Sequence, residues 1–239
     1  MCRMEWSDYD AVLFDLDGVL TPTADIHMRA WSELFNTFLA GRGVTEPYTD
    51  ADYFAFVDGK PRYDGVASFL ASRGLEVPYG DPADPPDAET VCGLGNRKNA
   101  LFNEVLARDG IAPYPGSVRL LDSVQALGKG VAVVSSSKNA RTALGAAGLL
   151  DRFEVIIDGL VAAEEGLPGK PAPDTFAEAA RRLGSTAERS VVVEDAVSGV
   201  RAGRAGAFGL VVGVDRGVGA EALTEAGADV VVTDLEELR

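Results

Sequence analysis

The run Ala11-Val12-Leu13-Phe14 is short, wholly apolar and stops at an acidic residue, the pattern of a buried parallel strand whose carboxyl end carries polar groups. Runs of the same kind recur at 131–134, 155–157, 191–193, 210–212 and 230–232. Between them lie Ala-rich segments with helical periodicity, such as 174–183 and 196–205. Strand and helix alternate in this way from about residue 115 onward, which predicts a doubly wound, Rossmann-like α/β parallel sheet.

The stretch between the first strand and that alternation has a different period. Ile26, Ala30, Leu34, Phe35, Phe38 and Leu39 fall at helical spacing, and Gly41 and Gly43 supply the stop. Segments at 65–73 and 99–108 also read as helices, and the Pro- and Asp-rich segment 78–87 reads as an exposed loop. The organisation expected is therefore a core of residues 1–23 and 114–239, with an α-helical cap of residues 24–113 inserted after the first strand. Pro113-Tyr114-Pro115-Gly116 marks the return.

Composition narrows the function classes. The chain has 239 residues, 46% hydrophobic and 25% charged, the balance of a globular protein. Its 37 acidic residues against 22 basic ones give a formal net charge of −15, which repels a nucleic-acid backbone. An anionic small substrate would need a metal or local basic groups to overcome that field. Cys2 and Cys92 form neither a disulfide framework nor a CxxC pair, so a cytoplasmic protein is expected. No segment has the pattern of a signal peptide or of a membrane span.

Asp15-Leu16-Asp17-Gly18 follows the first strand directly, so its carboxylates belong at the sheet's carboxyl edge, where α/β proteins place ligands. One carboxylate there can attack phosphorus while the other protonates a leaving oxygen. In isolation such a pair reads more readily as solvated acids at a strand end. Glu194-Asp195 ends a second apolar run, and facing strand ends of this kind would give a hard oxygen cage for Mg²⁺. Lys170, in Gly169-Lys170-Pro171-Ala172-Pro173-Asp174, offers an ammonium to a phosphoryl group. Ser135, Ser136, Ser137, Lys138 and Asn139 follow another strand and offer hydroxyl and amide donors.

Taken in order, DLDGV, VVSSS, GKPAPD and VVVED resemble the four motifs of the haloacid dehalogenase (HAD) superfamily. The resemblance implies Asp15 as nucleophile, Asp17 as general acid/base, and Ser135 and Lys170 as phosphate ligands. It also implies metal ligation by Asp15, Glu194 and Asp195 with the Asp17 carbonyl. The insert is similar to the cap of subfamily I. Thr21 to Trp31, with His27 as the only histidine, resembles the β-phosphoglucomutase branch, and the same resemblance assigns Thr23, Arg62, Lys98, Ser136, Ser137, Lys138 and Asn139 to substrate. His27 and Lys98 are expected to couple cap closure to the acid–base step. Lys60, Pro61 and the 78–87 loop have no counterpart in that pattern.

The implied activity is Mg²⁺-dependent phosphoryl transfer on a small phosphorylated metabolite, a sugar phosphate, by a monomer or weak homo-oligomer, with no nucleic-acid or membrane partner. A phosphatase on the same fold is the principal alternative, because fold and core motifs do not separate water from sugar as the acceptor. A dehalogenase would not call for the second aspartate or for a metal. Gly217-Val218-Gly219-Ala220-Glu221-Ala222 mimics a dinucleotide-binding GxGxxA signature, but no following βαβ unit fits it. A noncatalytic interaction module would leave acids at two strand ends without a reason. GxSxG is absent, which disfavours a serine hydrolase.

Overall fold

The computed structural model describes residues 5–239, so Cys2 lies outside the described residues. The chain divides into two compact units, one formed by the chain up to Thr23 together with Ile111–Arg239, the other by Ala24–Gly110. The first unit resumes at Ile111 rather than at 114, because Ile111 already packs against one of its apolar clusters.

The first unit is a six-stranded sheet with strands β1 (Ala11–Phe14), β2 (Gly130–Val134), β3 (Val155–Ile157), β4 (Ser190–Glu194), β5 (Leu210–Val214) and β6 (Val230–Val232). The order is β3-β2-β1-β4-β5-β6 and every pairing is parallel. Parallel strands need crossover helices, so both faces of the sheet are covered. Residues alternate accordingly. Val12, Phe14, Val131, Val133, Val191 and Val193 join a cluster with Leu120, Leu121 and Val124 of α5 (Pro115–Ala126) and with Ala140, Ala143 and Leu144 of α6 (Ala140–Ala146). Ala11, Leu13, Ala132, Val134 and Val192 join Phe176, Val200 and Leu223, from α8 (Asp174–Arg182), α9 (Val197–Ala205) and α10 (Ala220–Ala226). α7 (Gly159–Glu165) follows β3, with Asp158 as its N-cap accepting from Leu160 N and Val161 N. This architecture is the doubly wound sheet expected from the alternation of apolar runs, with β2, β4 and β5 one or two residues longer than those runs.

The second unit is helical, with α1 (Thr23–Gly41) running into it, then α2 (Asp50–Asp52), a helical turn at Tyr53–Val57, α3 (Arg62–Ser72) and α4 (Val91–Asp109). Its own core gathers Trp31, Leu34, Phe35, Phe38 and Leu39 from α1 with Val66, Phe69 and Leu70 from α3 and Val91 and Leu94 from α4. The Phe35 ring lies at the centre, 4.2 Å from Phe69 and 5.0 Å from Tyr48 between centroids. α4 starts at Val91, well ahead of the 99 expected. Thr90 caps it by accepting from Gly93 N at 2.9 Å, while Gly93 and Gly95, poor helix formers, hide the periodicity of that first part. No helix among the described residues is long and apolar enough to cross a membrane.

Candidate active site

The strand order reverses between β1 and β4, the switch point at which open α/β sheets bind ligands outside the strands' carboxyl ends. Register brings the acids level there. Phe14 pairs with Val193, and Asp15 N continues the ladder to Val193 O at 2.9 Å. Asp15 and Glu194 therefore stand side by side at the edge, with Asp195 next in the chain. One carboxylate oxygen from each of Asp15, Glu194 and Asp195 lies within 4.8 Å of the others. On the other side of β1, Ser135 follows β2 and its N–H donates to Ile157 O at 2.9 Å.

Lys170 reaches into this edge from the loop before α8. Its Nζ donates to Asp15 Oδ1 at 2.6 Å, to Val134 O at 3.0 Å and to Glu194 Oε1. All three residues are buried, Asp15 at 7%, Lys170 at 4% and Glu194 at 1% exposure. Burial works against the ammonium, but the carboxylates of Asp15 and Glu194 outweigh it and hold the Lys170 pKa above its ordinary value. For Asp15 burial wins: it pushes the carboxyl well above the usual range, and Glu194 and Asp17 push the same way against Lys170. Lys170 thus engages two of the three clustered carboxylates. The donor set, hard oxygens on converging strand ends, fits a divalent cation of the magnesium or calcium kind.

Asp17 is turned differently from the other acids. Its Oδ1 accepts from the Thr23 hydroxyl, which in turn contacts Thr21 Oγ1 at 2.9 Å, and its side chain is not part of the three-carboxylate cluster. Gly18 makes the turn possible. Its φ is +83°, and a Cβ there would stand 1.8 Å from Asp195 Oδ2. Ser136, Ser137, Lys138 and Asn139 form a half-buried loop after β2, knit by Ser137 N to Ser135 Oγ and Asn139 N to Ser137 Oγ, each 3.1 Å. Asn139 is the N-cap of α6, so these groups lie in the loop that leads into the start of that helix.

The second unit holds the remaining residues singled out from the sequence. Lys98, buried, contacts His27 Nδ1 and stands 5.0 Å from the Trp31 ring centroid and 5.1 Å from that of Phe102. His27 stacks on Phe102 at 4.2 Å. Arg62, the first residue of α3, donates to Asn99 Oδ1 at 2.7 Å and to Asn96 Oδ1 at 3.4 Å. Lys60 turns to Ser68 Oγ at 2.8 Å.

Two residues that support the site carry no motif. Arg216, two residues past the end of β5, donates to Gly18 O at 2.8 Å and to Thr233 O at 3.0 Å, and its guanidinium lies 3.9 Å from the Tyr114 ring centroid. Gly199, in α9, lets the helix pass so close to β4 that a Cβ would fall 1.8 Å from Glu194 Oε1. The loop with the GxGxxA pattern is ordered by Asp215 Oδ1, which accepts from Gly217 N and Gly219 N.

Comparison with known proteins places this geometry. The chain is 53% identical over 238 residues to the β-phosphoglucomutase of Mycobacterium tuberculosis, covering 95% of this chain and 90% of that protein. It is 31% identical over 243 residues to the validoxylamine A 7′-phosphate phosphatase of Streptomyces hygroscopicus, covering 97% and 96% respectively. Its fold is that of the crystal structure of β-phosphoglucomutase from Clostridium difficile, with a TM-score of 0.78 at 24% identity over 97% of this chain and 93% of that one. The model of the haloacid dehalogenase-like hydrolases matches residues 9–206, a span that takes in β1 with Asp15, the whole helical unit, Lys170 and the acidic end of β4. The chain belongs to the haloacid dehalogenase-like hydrolase family.

Proposed function

We propose that this protein is a Mg²⁺-dependent phosphotransferase working through a phosphorylated Asp15, and that it interconverts β-glucose 1-phosphate and glucose 6-phosphate. The observation that carries the phosphoryl-transfer reading is the buried Asp15 carboxylate held by Lys170 beside Glu194 and Asp195. The mutase assignment leans on the 53% identity to a β-phosphoglucomutase over nearly the full length of both chains.

Asp15 forms a bond to phosphorus as the bond from phosphorus to the sugar oxygen breaks, and Asp17 delivers the proton that this oxygen takes up. In the reverse sense a sugar hydroxyl attacks the phosphoaspartate and Asp17 removes its proton. Asp15, Glu194 and Asp195, with the Asp17 carbonyl, would hold Mg²⁺, which would supply positive charge beside the transferring group. Lys170 adds an ammonium, and Ser135 a hydroxyl, for the same oxygens. Thr23 orients Asp17 through the hydroxyl contact described above. Ser136, Ser137, Lys138 and Asn139 contact the substrate beside the reacting group. Arg62 holds the non-reacting phosphate, so that a bisphosphate can present either end. His27 and Lys98 couple cap closure to the acid–base step.

A phosphatase is the second reading, favoured by the 31% identity to a phosphatase over nearly the whole chain. The two part at one product. With Mg²⁺ and β-glucose 1-phosphate, glucose 6-phosphate without stoichiometric inorganic phosphate supports the mutase, and free phosphate alone overturns it. Asp15→Asn serves as the control that must abolish both.

A further inference from the structure

The Pro- and Asp-rich segment after α3 is exposed but far from shapeless. Asp84 is its hub. The Asp84 carboxylate accepts from Thr90 Oγ1 at 2.6 Å and from Asp81 N at 3.1 Å, and Asp81 Oδ1 accepts from Ala83 N at 2.8 Å. The segment is zipped onto the start of α4 by Val91 N to Pro78 O and Cys92 N to Tyr79 O, both 3.0 Å, and by Arg97 Nε to Pro86 O at 2.7 Å.

Its backbone carbonyls also face one side chain of α4. Asn96 Nδ2 donates to Asp84 O at 2.8 Å and to Pro82 O at 3.1 Å. An amide so engaged cannot flip, because flipping would set its oxygen against two carbonyl oxygens. Asn96 Oδ1 is thereby aimed at α3, where it accepts from Tyr63 OH at 3.0 Å and from Arg62 Nη1 at 3.4 Å. Asn99 Oδ1 takes the other terminal nitrogen of Arg62 at 2.7 Å. Both acceptors are uncharged. A carboxylate at either place would hold the guanidinium more tightly but cancel its charge, whereas an amide fixes the plane and leaves the charge in place.

We propose that residues 78–90 are a template for an anion seat in the helical unit: through Asn96, and together with Asn99, the segment fixes the direction of a fully charged Arg62 guanidinium for a second anionic group on the substrate. Asn96, Asn99 and Asp84 are positioning residues in this scheme. The scheme rests on the assignment of Arg62 to the non-reacting phosphate.

The test compares wild type with Asn96→Ala, Asp84→Ala, Asn99→Asp and Arg62→Ala, using β-glucose 1-phosphate and, separately, acetyl phosphate, a donor with no second anionic group. For β-glucose 1-phosphate KM rises about 10–100-fold in Asn96→Ala, the worth of a hydrogen bond to a charged group, while kcat changes only a few-fold. Asp84→Ala moves KM the same way. Asn99→Asp is isosteric and strengthens the contact to Arg62, so a purely structural role predicts wild-type KM, whereas charge cancellation predicts a rise at least as large as that of Asn96→Ala. Phosphorylation of Asp15 by acetyl phosphate, followed by mass spectrometry, stays near the wild-type rate in the asparagine and Asp84 variants. Wild-type KM in Asn99→Asp and Asp84→Ala overturns the template even if Asn96→Ala fails to fold. A wild-type protein that acetyl phosphate does not phosphorylate instead overturns the proposed function itself. An unchanged KM in Arg62→Ala removes the anion seat and the template with it.

Discussion

A Cβ at position 199 would stand 1.8 Å from Glu194 Oε1, inside the volume of the carboxylate that also accepts from Lys170. Gly199→Ala must therefore displace Glu194 or push α9 away from β4. Overpacking of this kind costs about 1–3 kcal/mol. Because Glu194 is one of the three clustered carboxylates, Mg²⁺ affinity falls by about 10–100-fold as well, the range for losing a group that orients a metal ligand. Urea melts and calorimetric Mg²⁺ titration read the two effects, and unchanged metal affinity would show either that α9 gives way and leaves Glu194 in place or that Glu194 does not bind the ion. Lys170→Met gives a complementary outcome. Turnover falls about 10²–10³-fold for loss of a preorganised positive group. The metal-free variant is also less stable by about 3–5 kcal/mol, because two buried carboxylates lose their partner, and saturating Mg²⁺ narrows that gap. A metal-free variant as stable as wild type would mean that the ammonium is not holding the pair. Asp15, Lys170, Glu194 and Asp195 are visible in the sequence because each ends a strand or opens a proline-bounded loop. Gly199 and Arg216 are not. Their roles exist only once α9 crosses β4 and the chain just past β5 meets Gly18, contacts made by residues that no local pattern marks.

At the scale of elements, α8 carries the loop of Lys170 and is fastened to α7 by charge. Glu178 accepts from Arg181 Nε and from Arg182 Nε, both 2.7 Å, and Arg182 Nη2 also donates to Glu165 Oε1 of α7 at 2.6 Å. The hydrogen bonds from Arg181 and Arg182 hold the Glu178 carboxyl down at about 2, below its ordinary 4.5. A depressed acid adds stability that is complete above the unfolded value of 4.5 and is lost as pH falls toward 2. Glu178→Gln should lower stability by about 0.5 kcal/mol at neutral pH, less in high salt. Thermal melts across pH check this, and a difference from wild type that survives at pH 2 would show that the charge is not its source. The elements themselves are legible to different degrees. The six strands announce themselves as short apolar runs, since burial on both faces of the inner ones admits little else. The start of α4 is hidden by Gly93, Gly95 and Asn96, residues of low helix propensity kept helical by the Thr90 cap and by the 78–90 segment. Thr90 was the one local signal that could have placed it.

At the scale of the molecule, the described residues form cores that share no residue: two clusters sandwich the sheet, and a third, rich in aromatic rings, lies within the helical unit. The clustered carboxylates belong to the sheet unit alone. A ligand that binds only the folded state stabilises what it binds by RT ln(1 + [L]/Kd), about 2.7 kcal/mol at a hundred times Kd. Mg²⁺ should therefore slow amide hydrogen exchange most at the ends of β1 and β4, residues 13–18 and 191–199, and leave the interiors of α3 and α4 near their metal-free rates. The reason is local: binding removes the repulsion among Asp15, Glu194 and Asp195, which burden those strand ends and not the ring cluster around Phe35. Exchange followed by mass spectrometry with and without Mg²⁺ reads this directly. Equal protection of α3 and α4 would mean that the two units unfold as one and that metal binding reaches the helical core, whereas no protection at the strand ends would remove the cation from the site.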